Sequence, residues 1–139
     1  KLSKKYNSGY PFSYLNILNN YQFYKSYEIT MMVNSTWAGL CRLYYINEKT
    51  FELADFFISK DFRGVKYKGI KYYQHLLNEV FKLAKLLNKN CNEISLAVEE
   101  NNLTAIHIYL KNKFEIFKNK SNQRFTFPKK NFIYMKLKL

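Results

Sequence analysis

Glycine, proline, cysteine and arginine are all scarce in this sequence. Four glycines and two prolines among 139 residues exclude a collagen-like repeat or a flexible Gly/Pro-rich linker. They also leave few positions where the backbone can take positive φ without strain. The two cysteines, Cys41 and Cys91, are far apart and lack the paired spacing of a zinc site. Both sit among apolar neighbours, which points to buried free thiols in a reducing, cytoplasmic compartment. His75 and His107 have no cysteine or carboxylate at ligand spacing, so no metal is expected. No apolar run approaches the roughly 18 residues of a membrane-spanning helix, and Lys1 to Gly9 lack the apolar core of a secretion signal. A chain that opens on Lys1 and not on Met is expected to be a piece excised from a longer protein.

What the sequence has in quantity is apolar and aromatic surface: 47% apolar and 19% aromatic residues, far from a disordered composition. Residues 1–139 are expected to fold as one domain with one core, burying somewhat over 60% of the surface the unfolded chain exposes. The net charge of +13 invites a nucleic-acid reading, because lysine and arginine neutralise phosphates. Yet only three of the 23 basic residues are arginine, the side chain whose fork grips guanine and phosphate. Asn, Tyr, Ile and Phe abound beside Lys, the set that A/T-rich codons produce. A solvated lysine surface is therefore the plainer reading, with room for a local patch that holds a small anion.

Periodicity sets the order of elements. Tyr14, Leu15, Leu18 and Tyr21 recur at helical spacing after Pro11 and Ser13, and predict a short helix. Three runs rich in β-formers follow, Tyr27 to Val33, Trp37 to Ile46 and Thr50 to Ile58. Hairpin-length breaks separate them at Asn34-Ser35-Thr36 and Asn47-Glu48-Lys49, so an antiparallel meander is predicted. From Tyr73 the apolar positions Leu76, Leu77, Val80, Phe81, Ala84 and Leu87 form one helical stripe. Glu93 to Val98 reads as a strand. Asn102 opens a second helix carrying Ala105, Ile106, Tyr109 and Leu110, and its side chain can cap the first turn. Phe114 to Phe117 and Phe132 to Leu139 read as closing strands. A strand, helix and strand after a meander imply a parallel crossover within an otherwise antiparallel sheet.

The run from Val98 to Phe114, with Asn102, Ala105, Tyr109 and the terminal Phe114, resembles the acetyl-coenzyme A signature of the GNAT superfamily of N-acetyltransferases. Five positions agree over seventeen residues without a gap, Lys113 stands where the family has glycine, and Tyr134-Met135-Lys136-Leu137 is similar to the family's final strand. The resemblance covers about Tyr27 to Leu139. It implies an α/β fold with a twisted mixed sheet, and a V-shaped opening between the strands at Thr50 to Ile58 and Glu93 to Val98. It implies acetyl-CoA as cosubstrate and an amine as acceptor, with Tyr109 as the general acid that returns a proton to the departing thiolate, and with Asn102 hydrogen-bonding the cosubstrate. Asn112 is expected to supply the left-handed residue that ends the second helix.

In the family, an Arg or Gln followed by two glycines wraps backbone N–H groups around the pyrophosphate at a helix N-terminus. Counting back from Leu76 aligns Lys68-Gly69-Ile70-Lys71-Tyr72-Tyr73 with that loop, putting Lys71 and Tyr73 where glycines belong. Counting forward from Phe57 and Ile58 at the strand end aligns Phe62-Arg63-Gly64-Val65-Lys66 and leaves an insertion of about five residues. Both registers stay open, and either is poor in glycine. Lys66, Lys68 and Lys71 are expected to offset this with charge. The preceding strand carries the family's proton-accepting carboxylate, for which Glu52 and Asp55 are the candidates. Strict alternation would place them on opposite faces, with Glu52 on the face of Ile58 and preferred.

The function expected is acetyl transfer to a primary amine. The excess of positive charge repels a polyamine and favours a small neutral or anionic acceptor. Tyr6, Tyr10, Phe12, Tyr14, Tyr21, Phe23, Tyr24 and Tyr27 offer stacking faces suited to a sugar or base, so residues 1–26 are assigned to the acceptor side and an amino sugar linked to phosphate or nucleotide is favoured. A protein N-terminus is the alternative acceptor. A GNAT-fold module that has lost turnover and only binds is the alternative function.

Overall fold

The computed structural model describes residues 3–6, 12–20, 25–117 and 131–139, the first two segments as strands of the sheet. Eight strands form one sheet in the order β1-β2-β3-β4-β5-β8-β10-β9. They are β1 (Ser3–Tyr6), β2 (Phe12–Asn20), β3 (Ser26–Val33), β4 (Thr36–Asn47), β5 (Thr50–Ile58), β8 (Glu93–Glu99), β9 (Glu115–Phe117) and β10 (Phe132–Lys138). A small hairpin, β6 (Lys66–Tyr67) and β7 (Ile70–Lys71), leads into helix α1 (Tyr72–Leu87), and α2 (Leu103–Lys111) follows β8. The meander is present as β3, β4 and β5, and β5 pairs parallel to β8 across the crossover helix α1.

One expected element is replaced. Tyr14, Leu15 and Leu18 lie in β2, whose partner is β3, and not in a helix. Asn16, Ile17, Asn19 and Asn20 are poor helix formers, and the open edge of β3 offers ladder hydrogen bonds that outweigh a weak 3.6-residue pattern. Tyr21 and the rest of that predicted helix lie outside the described residues, as do the side chains of the N-terminal aromatics up to Tyr24.

Alternation along the strands gives the sheet two unlike faces. Ile29, Met31, Cys41, Leu43, Phe51, Leu53, Ile94, Leu96, Met135 and Leu137 are buried in one cluster with Leu76, Leu77, Val80, Leu83 and Ala84 of α1 and Ile106 and Tyr109 of α2. The two helices lie side by side on this face, where Gln74 and Asn112 exchange amide hydrogen bonds of 2.7 and 3.0 Å and the rings of Phe81 and Phe114 sit 6.2 Å apart. The opposite face carries a polar row. Register places Ser26, Tyr44, Glu52, Ser95, Lys136 and Glu115 in one row across β3, β4, β5, β8, β10 and β9.

Both cysteines are buried and free, and burial pushes both thiols up. Among the described residues no cluster of three potential metal ligands occurs, and no helix is long and apolar enough to cross a membrane.

Candidate active site

β5 and β8 pair only from Thr50↔Glu93 to Leu53↔Leu96. Beyond that point the strands separate, and a cleft of about 870 Å³ opens between them, its lining including Phe57 and Ile58 from β5 and Asn102 and Tyr109 from α2 and its cap. The divergence begins where β5 bulges. Between the pairs Arg42↔Ala54 and Leu40↔Phe57, β4 contributes only Cys41 while β5 contributes Asp55 and Phe56. Asp55 takes φ +55°, the left-handed region in which Asp is one of the more tolerant residues.

The extra residue changes which carboxylate faces where. Glu52 shares a face with Tyr44, while Ile58, opposite Gly39, joins the buried side of the sheet. Glu52 and Ile58 are thus on opposite faces, contrary to strict alternation. Asp55 turns to the face of Glu52, where its carboxylate accepts from Arg42 Nη1 at 2.9 Å. Arg42 also donates through Nη2 and Nε to Glu28, at 2.7 and 3.2 Å, and these bonds hold the guanidinium pKa above its ordinary value. Asp55 is about half exposed and ion-paired, whereas Glu52 is 4% exposed. Neither carboxylate lines the cleft.

The cleft ends at the N-terminus of α1. This helix has Lys71 as its N-cap residue, with no side-chain capping bond and no acid in its first turn, so its end is suited to an anion. Between β5 and α1, a turn of 3-10 helix (Lys60–Phe62) leads to Arg63 and Gly64. Arg63 is fixed in two ways: Nε donates to Ile58 O at 2.7 Å, and its guanidinium carbon lies 4.8 Å from the Phe57 ring centroid. Neither Nη group has a partner among the described residues. Gly64 takes φ +72° with nothing within 4 Å of where a Cβ would stand, an open approach for backbone to ligand.

Of the loop residues singled out in the sequence, Arg63, Gly64, Lys71 and Tyr73 line the cleft. Lys66, Lys68, Gly69, Ile70 and Tyr72 do not. The residues by which the two registers differ include the hairpin β6–β7, closed by Lys68 and Gly69 at φ +51° and +77°. Tyr72 N bonds back to Val65 O at 3.3 Å, so the hairpin projects from a loop whose ends meet. Lys68 lays its ammonium 5.4 Å from the Tyr67 ring centroid. Tyr72 is buried against Phe62, with ring centroids 5.3 Å apart.

On the other wall, Asn102 Oδ1 accepts from Ala105 N at 3.2 Å, the cap expected at the start of α2. Tyr109, 8% exposed, packs edge-on to Phe114 at 5.4 Å. Burial pushes its hydroxyl well above the ordinary tyrosine value, so it stays protonated. The helix ends differently from the expectation: Asn112 is at φ −91° and Lys113 takes φ +74°. The lysine occupies the left-handed position itself, and the Asn112 side chain is engaged with Gln74 and Ile108 O. His107, Lys111 and Thr104 also line the cleft; the helical spacing of 104, 107 and 111 was present in the sequence but carried no separate signal.

The arrangement matches a known family. The sequence profile of the acetyltransferase (GNAT) family fits residues 2–114. The chain belongs to the GNAT family of acetyltransferases. Members of this family are acetyl-CoA-dependent N-acetyltransferases, and acetyl-CoA is the cosubstrate. Solved structures share the fold. An acetyltransferase from Streptococcus agalactiae superposes with a TM-score of 0.67 at 21% identity, over 82% of this chain and 67% of that one. N-acetyltransferase PseH from Campylobacter jejuni gives 0.62 at 23%, over 81% and 67%, and has also been solved in complex with acetyl coenzyme A. A mutant of SpeG spermidine N-acetyltransferase from Vibrio cholerae gives 0.61 at 19%, over 81% and 64%. The chain thus spans about two thirds of the length of these structures. None of the curated proteins compared with the chain matches it.

Proposed function

We propose that this GNAT-family chain transfers acetyl from acetyl-CoA to the primary amine of a small neutral or anionic acceptor, with a phosphate- or nucleotide-linked amino sugar favoured. The observation that carries the reading is the cleft between β5 and β8, which joins a guanidinium fixed through Nε, its Nη groups without a partner among the described residues, and a helix end without a side-chain cap to a buried, protonated tyrosine. The residues present fit the cosubstrate. Arg63 and Lys71 suit its phosphates, the strand edge at Phe56 to Ile58 beyond the last β5–β8 pair suits an extended amide chain, and the volume suits burial of that chain.

When bound, acetyl-CoA supplies a thioester carbonyl for the amine and a thiolate leaving group. The protein's tasks are then proton transfer and positioning. Tyr109 holds its proton at neutral pH and is placed in the cleft wall to give it to the departing sulfur. Glu52, on the polar side of β5 and outside the cleft lining, takes the proton of the amine through water. Asp55 has a weaker claim, because its carboxylate is spent on Arg42. A direct transfer needs no covalent intermediate, which agrees with two buried thiols held protonated.

The relatives' printed names differ in acceptor, spermidine among them, and at such identity they establish fold and not substrate. Charge favours the anionic choice: a net +13 repels a polycation on approach. A second reading, a module that binds without turnover, draws support from a loop poor in glycine in either register, with Lys71 and Tyr73 at the glycine positions in one of them. An acceptor screen by thiol release tests both. Activity on amino sugars and none on polyamines is expected; polyamine activity alone would refute the acceptor, and no thiol release with any amine would favour the binding module.

A further inference from the structure

The turn Asn34-Ser35, with φ of +48° and +68°, delivers Trp37 to the start of β4, where it stacks on Phe57 with ring centroids 5.7 Å apart and planes at 23°. Trp37 is 38% and Phe57 43% exposed. Two large apolar rings side by side at the surface leave apolar area that a ligand would bury favourably. Gly39 holds the pair in place. A Cβ there would stand 2.6 Å from the Phe57 carbonyl oxygen, so only glycine lets β4 approach this close.

Register sets the direction of the stack. Trp37 pairs with Met32 and Phe57 with Leu40, positions on the sheet face turned away from α1 and α2, the face that carries Glu52. Phe57 also lines the cleft and carries the Arg63 guanidinium on its ring. Three planar groups therefore run from the exposed ring of Trp37 to the guanidinium of Arg63. Such a surface accepts a flat ring, which stacks on the exposed indole face, next to a guanidinium that draws an anionic ligand to the cleft mouth.

We propose that Trp37 and Phe57 are the docking platform for the base of a nucleotide-linked acceptor, beside Arg63, which is left to the phosphates of the cosubstrate. The identity of the ring's owner rests on the acetyl-transfer reading above; the platform itself does not. The geometry favours the acceptor over the adenine of the cosubstrate, because the rings stand on the sheet face opposite the helices, on the side of the proton-accepting carboxylate.

Trp37 is the only tryptophan of the sequence, so its fluorescence reports on its own site. Titration with uridine diphosphate should quench about half or more of the emission, as base stacking on indole does, while ribose 5-phosphate leaves it unchanged. Phe57→Leu, which keeps the reporter, should weaken uridine diphosphate about tenfold. Trp37→Leu, followed by calorimetry, should weaken uridine diphosphate alike. Equal responses to uridine diphosphate and ribose 5-phosphate would overturn the platform. Quenching by acetyl-CoA, with none by uridine diphosphate or acetylated pantetheine, would assign the rings to the cosubstrate's adenine and overturn the acceptor site. Quenching by uridine diphosphate with no binding of acetyl-CoA would uphold the platform and sink the acetyl-transfer reading alone.

Discussion

Glu52 and Asp55 lie on the same face of the sheet although three positions separate them, because β5 gains a residue between Ala54 and Phe57. The two proposed candidates for the base therefore stand on one side, and their surroundings separate them. Glu52→Gln should lower kcat about 10²- to 10⁴-fold, the range for loss of a general base, with little change in acetyl-CoA affinity. Asp55→Asn should change kcat less than about threefold, since its ion pair with Arg42 is half exposed. Steady-state kinetics of the two variants decides, and the reverse ranking would move the base to Asp55.

Tyr109→Phe should preserve acetyl-CoA binding and lower turnover about ten- to a thousandfold. Burial raises the hydroxyl pKa, so the sign of the pH effect is fixed: the donor form persists as pH rises past the ordinary tyrosine value near 10. Wild-type kcat should accordingly show no alkaline fall from this group between about pH 7 and 10. Unaltered turnover in the variant would reduce Tyr109 to a packing residue against Phe114.

The basic residues of the loop divide by position. Arg63→Ala and Lys71→Ala should each weaken coenzyme A about five- to fiftyfold and leave acetylated pantetheine, which lacks the nucleotide phosphates, within about twofold. Lys66→Ala with Lys68→Ala should change neither ligand by more than about twofold, because the hairpin β6–β7 holds both outside the cleft. Calorimetry with the two ligands separates these outcomes. Equal losses for both ligands at Arg63 would remove its phosphate role.

Gly39→Ala should destabilise the fold by about 1–3 kcal/mol, the usual cost of overpacking. The added methyl meets a backbone oxygen, which cannot swing aside as a side chain would. Denaturant unfolding would measure the loss, and the same variant should reduce the Trp37–Phe57 stacking. A stability equal to wild type would show that β4 has room to retreat.

Much of this architecture was legible in the residues, for identifiable reasons. Short polar breaks of hairpin length marked the meander, the apolar stripe from Leu76 to Leu87 marked α1, and Val98 to Phe114 carried the family resemblance and the Asn102 cap. The bulge was not legible. Alternation is counted from a fixed parity, and nothing local in Ala54-Asp55-Phe56 announces the extra residue that turns Asp55 and Ile58 over. The pyrophosphate loop was half legible: the two counts disagreed by about five residues, and Lys68-Gly69 is a fitting two-residue turn, but the closure of Tyr72 onto Val65 is a tertiary fact. Tyr14 to Leu18 misled because a short apolar spacing satisfies a helix or an edge strand equally, and pairing with β3 decides between them. Trp37 drew no notice because its partner, Phe57, is twenty positions away.

The account turns on acetyl-CoA entering the cleft between β5 and β8, and thermal unfolding with and without it is the most direct test. At about a hundred times its dissociation constant the ligand should add about 2.7 kcal/mol to stability and raise the Tm by several degrees, and Arg63→Ala should require a higher concentration for the same rise. Unchanged melting at millimolar acetyl-CoA would contradict the account.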